Sequence, residues 1–420
     1  MVRTHVLPNG MRIVTERVPG VRSVSVGCWV DVGSRDEAPE QNGICHFVEH
    51  MMFKGTRRRS ARDIAEVMDA TGGQLNAFTT KEATCYYARV LDEHLPVALD
   101  LLADMVLDSV FRTEDVARER EVILEEIRLS EDTPEDNVHD VFEQALFGSH
   151  PLARPVLGTA KTVGACTRGA LVKFVQEHYS PSRLVVAASG NVDHDRLVDA
   201  VVQLFGERRG PAPHRTAVAL NYRAGWVMVP RSFEQVHLCV GVPALNRRDP
   251  DRFALQLLDT VLGGGMSSRL FQELREERGL VYSTYSYHFT YGETGVLAVY
   301  AGTSADKAPE VLDVIRAELE EAYRGEITAE EVERAKEQVK GSLMLSLEST
   351  AARMSRLGRE ALAGEPHLSP RQLVRRIDAV TLEDVIRVAE RLLRPELLTV
   401  VGLGAVPSSW RAQVLEEAAI

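Results

Sequence analysis

Two rhythms of apolar and polar positions run along the chain. Compact apolar runs bounded by turn residues, VSVGCWVDVG over 24–33 and VHLCVGVP over 236–243, read as strands. Other segments carry apolar residues at helical spacing: PVALDLLADMVLD from Pro96, TEDVARERE from Thr113, PEVLDVIRAELEE from Pro309 and TAEEVERAKE from Thr328. These segments fall into pairs that follow one another in the same order, at an offset that grows slowly from roughly 210 residues. A fourth pair closes each half. LVKFVQEHYSPSRLVVAASG ends at Gly190 and VIRVAERLLRPELLTVVGLG ends at Gly404, each with a proline ahead of its last strand. A tandem duplication explains the order. GERRGPAPHRTAVALN, over 206–221, mixes Pro, Gly and Arg without an apolar period and marks the connector. The expected domains are therefore 1–206, a linker over 207–221, and a homologous domain over 222–420.

Strand groups followed by clustered helices predict an α+β fold with two similar halves, each a mainly antiparallel sheet covered by helices. No G-x-G-x-x-G or Walker motif supports a nucleotide fold, and Gly263, Gly264 and Gly265 lack the P-loop lysine and read as a flexible turn. With 45% apolar and 26% charged residues among 420, the composition is that of a globular protein with room for two cores. No uncharged stretch reaches 18 residues and MVRTHVLPNGMRIV has no apolar signal core, so neither a membrane span nor a secretory signal is expected. Acidic residues outnumber basic ones 61 to 49, a net charge of −12, which disfavours nucleic acid and favours basic peptides as guests. The five cysteines, an odd number without a C-x-x-C pair, point to a reducing compartment, and a cytoplasmic location is expected. Arg57, Arg58 and Arg59 read as a solvated loop.

The chemistry concentrates in ICHFVEHMMFKG. His46, Glu49 and His50 stand at i, i+3 and i+4 and share one helical face, while Ile44, Phe47, Val48 and Met51 form an apolar stripe on the other. Asn42 is the expected N-cap and Gly55 the terminator. Two histidines one turn apart can place imidazole nitrogens on one zinc ion, with the carboxylate between them able to take a proton from water, the H-x-x-E-H pattern. The alternative is a helix with two ordinary surface histidines. Cys45 and Cys85 read as small core residues, with Cys45, next to His46, a candidate for sensitivity to thiol reagents.

A catalytic zinc takes three protein ligands, and the third is sought downstream. In EDVAREREVILEEIRLSED, Val116, Ile123 and Ile127 make an apolar stripe, and Glu119 and Glu126 are two turns apart on another face. Glu125 lies about 100° further round, so only one of the adjacent pair can point with Glu119. Spacing leaves the choice between Glu125 and Glu126 open.

Over essentially its whole length the chain resembles the pitrilysin-type inverted zincin peptidases, closest to the branch that includes the catalytic subunit of mitochondrial processing peptidase. The resemblance implies that the third zinc ligand is Glu126, that Glu119 supports the site, and that one Zn2+ is held per chain by His46, His50 and Glu126. It implies that the two halves enclose a cleft and that only the first holds zinc; LQLLDTVLGGG in the second has no histidine. Within SSRLFQELREERGLVYS it implies that Arg275 and Tyr282 face the metal. The segment GGQLNAFTTKEATCYYARV from Gly72 reads as an edge strand, and its relatives pair there with extended substrate, which assigns Asn76, Ala77 and Phe78 to peptide backbone binding.

The expected activity is peptide hydrolysis by a metalloendopeptidase, with Glu49 as general base and extended, basic peptides as substrate. The resemblance further implies a homodimer, or a heterodimer with an inactive homologue. Two alternatives accompany it: a noncatalytic core-type subunit, which usually has a broken zinc motif, and a catalytic subunit that needs a partner.

Overall fold

The computed structural model describes residues 2–206, 208–210, 215, 218–222, 224–406 and 410. Eleven strands form two sheets among the described residues. The first contains β1 (Val2–Val6), β2 (Arg12–Arg17), β3 (Ser23–Val30), β4 (Gln74–Thr79), β5 (Thr84–Leu91) and β6 (Leu184–Gly190), in the order β1-β2-β6-β3-β5-β4. The second contains β7 (Trp226–Pro230), β8 (Gln235–Ala244), β9 (Ser283–Thr290), β10 (Gly295–Ser304) and β11 (Thr399–Gly404), in the order β7-β11-β8-β10-β9. Apart from the extra edge strand β1, the two orders coincide. Even the parallel pair recurs: β2 with β6 and β7 with β11 run parallel, and every other pairing is antiparallel.

The closing strands show why the repeat is legible. β6 ends on Gly190 at φ +133° and β11 on Gly404 at φ +114°, values that L side chains avoid. A Cβ would stand 2.2 Å from the carbonyl oxygen of Ser23 in the first case and of Gln235 in the second. Each glycine thus lets the last strand meet the start of its neighbour.

Two compact units result, and neither is contiguous in sequence. One comprises residues 1–128, 154–216 and 344–368; the other 129–153, 217–343 and 369–420. A division at 206 and 222 therefore differs from the packing by one helix in each half. Parts of the expected linker, residues 207, 211–214, 216 and 217, lie outside the described residues.

In the first unit, one sheet face is covered by the helix Leu95–Asp108, which buries Leu99, Leu102 and Met105 with Val26, Cys28 and Ala88. The other face receives the helix Thr350–Ala363, whose Met354 and Leu357 pack on Val14, Trp29, Cys85 and Val185. This contact is built for close approach: Trp29 Nε1 donates to Met354 Sδ at 3.3 Å, and Gly358 leaves the space its side chain would take from the Trp29 ring. In the second unit, the helix Pro134–Phe147 takes the same role. Its Val138, Phe142 and Leu146 pack with Cys239, Val296, Ala298, Val401 and Leu403.

Two local expectations are corrected. Arg58 and Arg59 are not simply solvated: their guanidiniums hold Asp100 and the buried Asp104 at 2.6 to 3.0 Å, and Thr56 Oγ1 donates to Asp104 at 2.8 Å. Gly263 is not part of a flexible turn. It is a buried end of the helix Arg252–Gly263, and a Cβ there would meet Ser286 N at 2.2 Å. All five cysteines are unpaired. No helix among the described residues is long and apolar enough to cross a membrane.

Candidate metal centre

The motif helix spans Ile44–Met52 in the first unit. Ile44, Phe47, Val48 and Met51 are buried, as their spacing requires, and burial stabilises each by roughly 1.5–3 kcal/mol. This anchoring turns His46, Glu49 and His50 to the opposite, partly exposed face. The helix start differs from the sequence expectation. Gly43 occupies the N-cap position at φ 93°, where a Cβ would meet the Leu157 carbonyl oxygen at 2.6 Å. Asn42 instead donates its side-chain amide to Glu37 Oε2 at 2.7 Å and to the Pro155 carbonyl at 2.9 Å. The free N–H groups of the first turn are taken by Glu37, which accepts from Gly43 N at 2.9 Å and Cys45 N at 2.8 Å. Burial pushes the Glu37 carboxyl up to about 7 against the pull of these donors.

The helix Thr113–Asp132 brings up the third group. Val116, Ile123 and Ile127 are its buried stripe, and this rotation separates the adjacent acids. Glu125 points outward, its side chain 72% exposed and bonded to Arg128 at 2.7 Å, whereas Glu126 is 39% exposed and turned to the histidines. Glu126 Oε2 lies 3.8 Å from His46 Nε2 and 3.5 Å from His50 Nε2. One ligand atom from each of His46, His50 and Glu126 falls within 4.8 Å of the others. Donors about 2.0–2.1 Å from a tetrahedral zinc are about 3.3 Å apart, so two imidazoles and one carboxylate at these separations fit zinc.

Electrostatics support the same reading of the donor set. Burial, aided by His50, pulls His46 down to about 3, so its imidazole is neutral and offers a lone pair. His50 Nδ1 lies 3.2 Å from Glu119 Oε2; with the proton on Nδ1, Nε2 is left free toward Glu126. Glu119 is buried, and its other oxygen is held by Lys54 Nζ at 2.7 Å, a partner that sequence spacing did not single out. Burial raises the Glu49 carboxyl, while a hydrogen bond from Thr79 Oγ1 at 2.5 Å pulls the other way. Cys45 and Cys85 are buried core residues, as expected, and burial pushes both thiols well above the ordinary range, which works against reaction of Cys45 with thiol reagents.

The expected peptide-binding segment forms the edge of its sheet. Among the described residues β4 pairs only with β5, Asn76 opposite Tyr87 and Phe78 opposite Cys85. Asn76 is exposed, and its Oδ1 accepts from Ala77 N at 2.8 Å. Phe78 is half-buried, its ring edge-on to Trp29 at 5.4 Å. In the second unit, Arg275 lies in a π-helical turn, Gln272–Glu277, its guanidinium 4.9 Å from the Phe271 ring and 5.1 Å from the Tyr282 ring. Tyr282 is 79% exposed. The pair is thus brought together within its own unit.

The chain thus combines two repeated α+β units with two histidines and a glutamate gathered at one point of the first. Residues 12–160 match Insulinase (Peptidase family M16), and residues 165–339 match the Peptidase M16 inactive domain. An uncharacterised zinc protease of Streptomyces coelicolor is 48% identical over 96% of this chain and 89% of its own length. The uncharacterised zinc protease YmxG of Bacillus subtilis is 42% identical over 97% of this chain and 100% of its own. The chain belongs to peptidase family M16. Among solved structures, a peptidase M16 inactive domain from Pseudomonas fluorescens superposes with a TM-score of 0.91 at 22% identity, over 97% of this chain and 98% of that one. A protease from Helicobacter pylori gives 0.89 at 22% identity, over 96% and 99%.

Proposed function

We propose that the chain is a zinc metalloendopeptidase that cuts extended or unfolded peptides and prefers basic ones. The convergence of His46, His50 and Glu126 on one point, with Glu49 on the same helical face, carries this reading. Relatives of high identity that are named zinc proteases support it.

His46, His50 and Glu126 would hold the ion. Zinc, when bound there, supplies Lewis acidity that polarises a scissile carbonyl and makes water a better nucleophile. Glu49 takes the proton of the attacking water and passes it to the leaving amine, a role suited to a carboxyl raised by burial. Glu119 fixes the His50 ring through Nδ1. The free edge of β4 takes the peptide backbone as an added strand at Asn76, Ala77 and Phe78. Arg275 and Tyr282 donate hydrogen bonds to the carbonyl oxygen as charge develops on it. The surplus of acidic residues, with EDTPED from Glu131, supports the preference for basic guests. Because one chain carries both the ligand set and the Arg275–Tyr282 pair, a homodimer in the cytoplasm needs no inactive homologue.

The test is cleavage of a quenched basic peptide by the purified chain before chelation, after chelation and after zinc readdition. Loss and recovery of cleavage are expected. Cleavage indifferent to chelation, or none at full zinc content, would overturn the proposal, the latter favouring a noncatalytic subunit.

A further inference from the structure

The two units can be compared position by position because their sheets share one register. Val24 pairs with Gly190 and Val90 in the first sheet, as Val236 pairs with Gly404 and Thr303 in the second. Six residues back from Val90 and from Thr303 stand Thr84 and Leu297, which pair with Thr79 and His288. Thr79 and His288 therefore hold the same place in their sheets. The helices correspond as well: Ile44, Phe47, Val48 and Met51 match the buried Ala254, Leu257, Leu258 and Val261. In that alignment, Gln256 and Thr260 replace His46 and His50, and Asp259 stands where Glu49 does.

In both units the same contact joins the two places. Thr79 Oγ1 donates to Glu49 Oε2 at 2.5 Å, and His288 Nδ1 lies 2.7 Å from Asp259 Oδ2. The second unit keeps this strand-to-helix clamp although the histidines of the motif are absent from it, so the clamp belongs to the module and not to the metal.

In the first unit the clamp is stiff. Thr79 ends β4, its backbone is fixed by pairing with Thr84, and the following Thr80 N donates to Ala83 O at 2.8 Å. The Thr84 hydroxyl gives its proton to the Val32 carbonyl at 3.0 Å and lies 3.4 Å from Thr79 Oγ1, so the single Thr79 proton goes to the nearer carboxylate. A β-branched side chain adds a restricted χ1.

We infer that Thr79 is a positioning residue that holds the Glu49 carboxylate in one orientation through its hydroxyl. The inference rests on the role proposed for Glu49. It also links the base to β4: the residue that aims it directly follows Asn76, Ala77 and Phe78, so the strand assigned to substrate and the base assigned to chemistry move as one body.

The experiment compares Thr79→Val, which keeps shape and loses the hydroxyl, with Thr79→Ser, which keeps the hydroxyl. Zinc content, melting temperature, kcat and KM for a quenched basic peptide, and crystal structures of the zinc-loaded proteins are measured. Thr79→Val is expected to keep one zinc and a native melting temperature, lower kcat on the order of 10- to 100-fold with KM little changed, and show Glu49 turned away. Thr79→Ser is expected to restore kcat to within about threefold and to keep the Glu49 orientation. An unchanged Glu49 orientation in Thr79→Val, or a fall in activity that follows zinc loss or unfolding, would overturn the positioning role. An inactive wild-type protein at full zinc content would instead overturn the proposed peptidase activity, and the crystallographic comparison would still decide whether Thr79 orients Glu49.

Discussion

Replacing Glu119 tests the supporting shell of the metal centre without any substrate. Its carboxylate is buried, with Oε2 at 3.2 Å from His50 Nδ1 and Oε1 at 2.7 Å from Lys54 Nζ. A hydrogen bond to a charged group is worth about 1.5–3 kcal/mol, roughly twice its neutral counterpart. Glu119→Gln keeps an oxygen but loses the charge, which removes about half of that, close to 1 kcal/mol or somewhat under tenfold in zinc affinity. Glu119→Ala removes the acceptor entirely and should weaken zinc by roughly 10- to 100-fold. Competition against a fluorescent chelator measures both dissociation constants. Glu125→Gln is the matched control: that side chain points outward to Arg128 and should leave the affinity unchanged. Equal zinc affinity in wild type, Glu119→Gln and Glu119→Ala, or a loss in Glu125→Gln as large as in Glu119→Ala, would show that Glu119 does not support the metal ligands.

Two further outcomes concern the scaffold. A Cβ at Gly358 would lie 2.2 Å from the buried Trp29 ring, so Gly358→Ala should destabilise by about 1–3 kcal/mol, whereas Gly341→Ala, where a Cβ meets nothing, should stabilise by up to about 1 kcal/mol; chemical denaturation of both variants decides, and a stabilised Gly358→Ala would contradict the packing. Glu37 is raised from 4.5 to about 7, so the folded chain binds a proton that the unfolded chain has released between these values. Its contribution to stability is full below pH 4.5 and is lost as pH rises through about 7, a swing on the order of 3 kcal/mol. The difference in unfolding free energy between wild type and Glu37→Gln should follow that window, and a pH-independent difference would refute the cause given.

The sequence carries much of this architecture because its signals are local. The apolar stripe Ile44, Phe47, Val48, Met51 sets which face of the motif helix is free, and the stripe Val116, Ile123, Ile127 sets that of the ligand helix. The repeat shows through since strand, helix and closing glycine recur in order. What stayed hidden depends on tertiary partners. Nothing in EDNVHDVFEQALF says which sheet its apolar face meets, so the packing of Pro134–Phe147 with the second unit and of Thr350–Ala363 with the first is absent from a contiguous domain division. The same limit explains the choice between Glu125 and Glu126, one residue apart on a helix whose rotation only packing fixes. Asn42 has the composition of a cap, yet the crowding at Gly43 and the reach of Glu37 from outside the helix decide the geometry. Lys54 and Thr79 were equally invisible, since each acts on a carboxylate distant in sequence.

The proposed peptidase activity depends on Glu49 acting as general base beside a zinc that His46, His50 and Glu126 would hold. Its most direct test is Glu49→Gln, prepared at full zinc content and measured for zinc per chain and for cleavage of a quenched basic peptide. Glu49→Gln is expected to hold one zinc per chain, as in wild type, and to turn over at least about 100-fold more slowly. Turnover within tenfold of wild type, with zinc still bound, would contradict it.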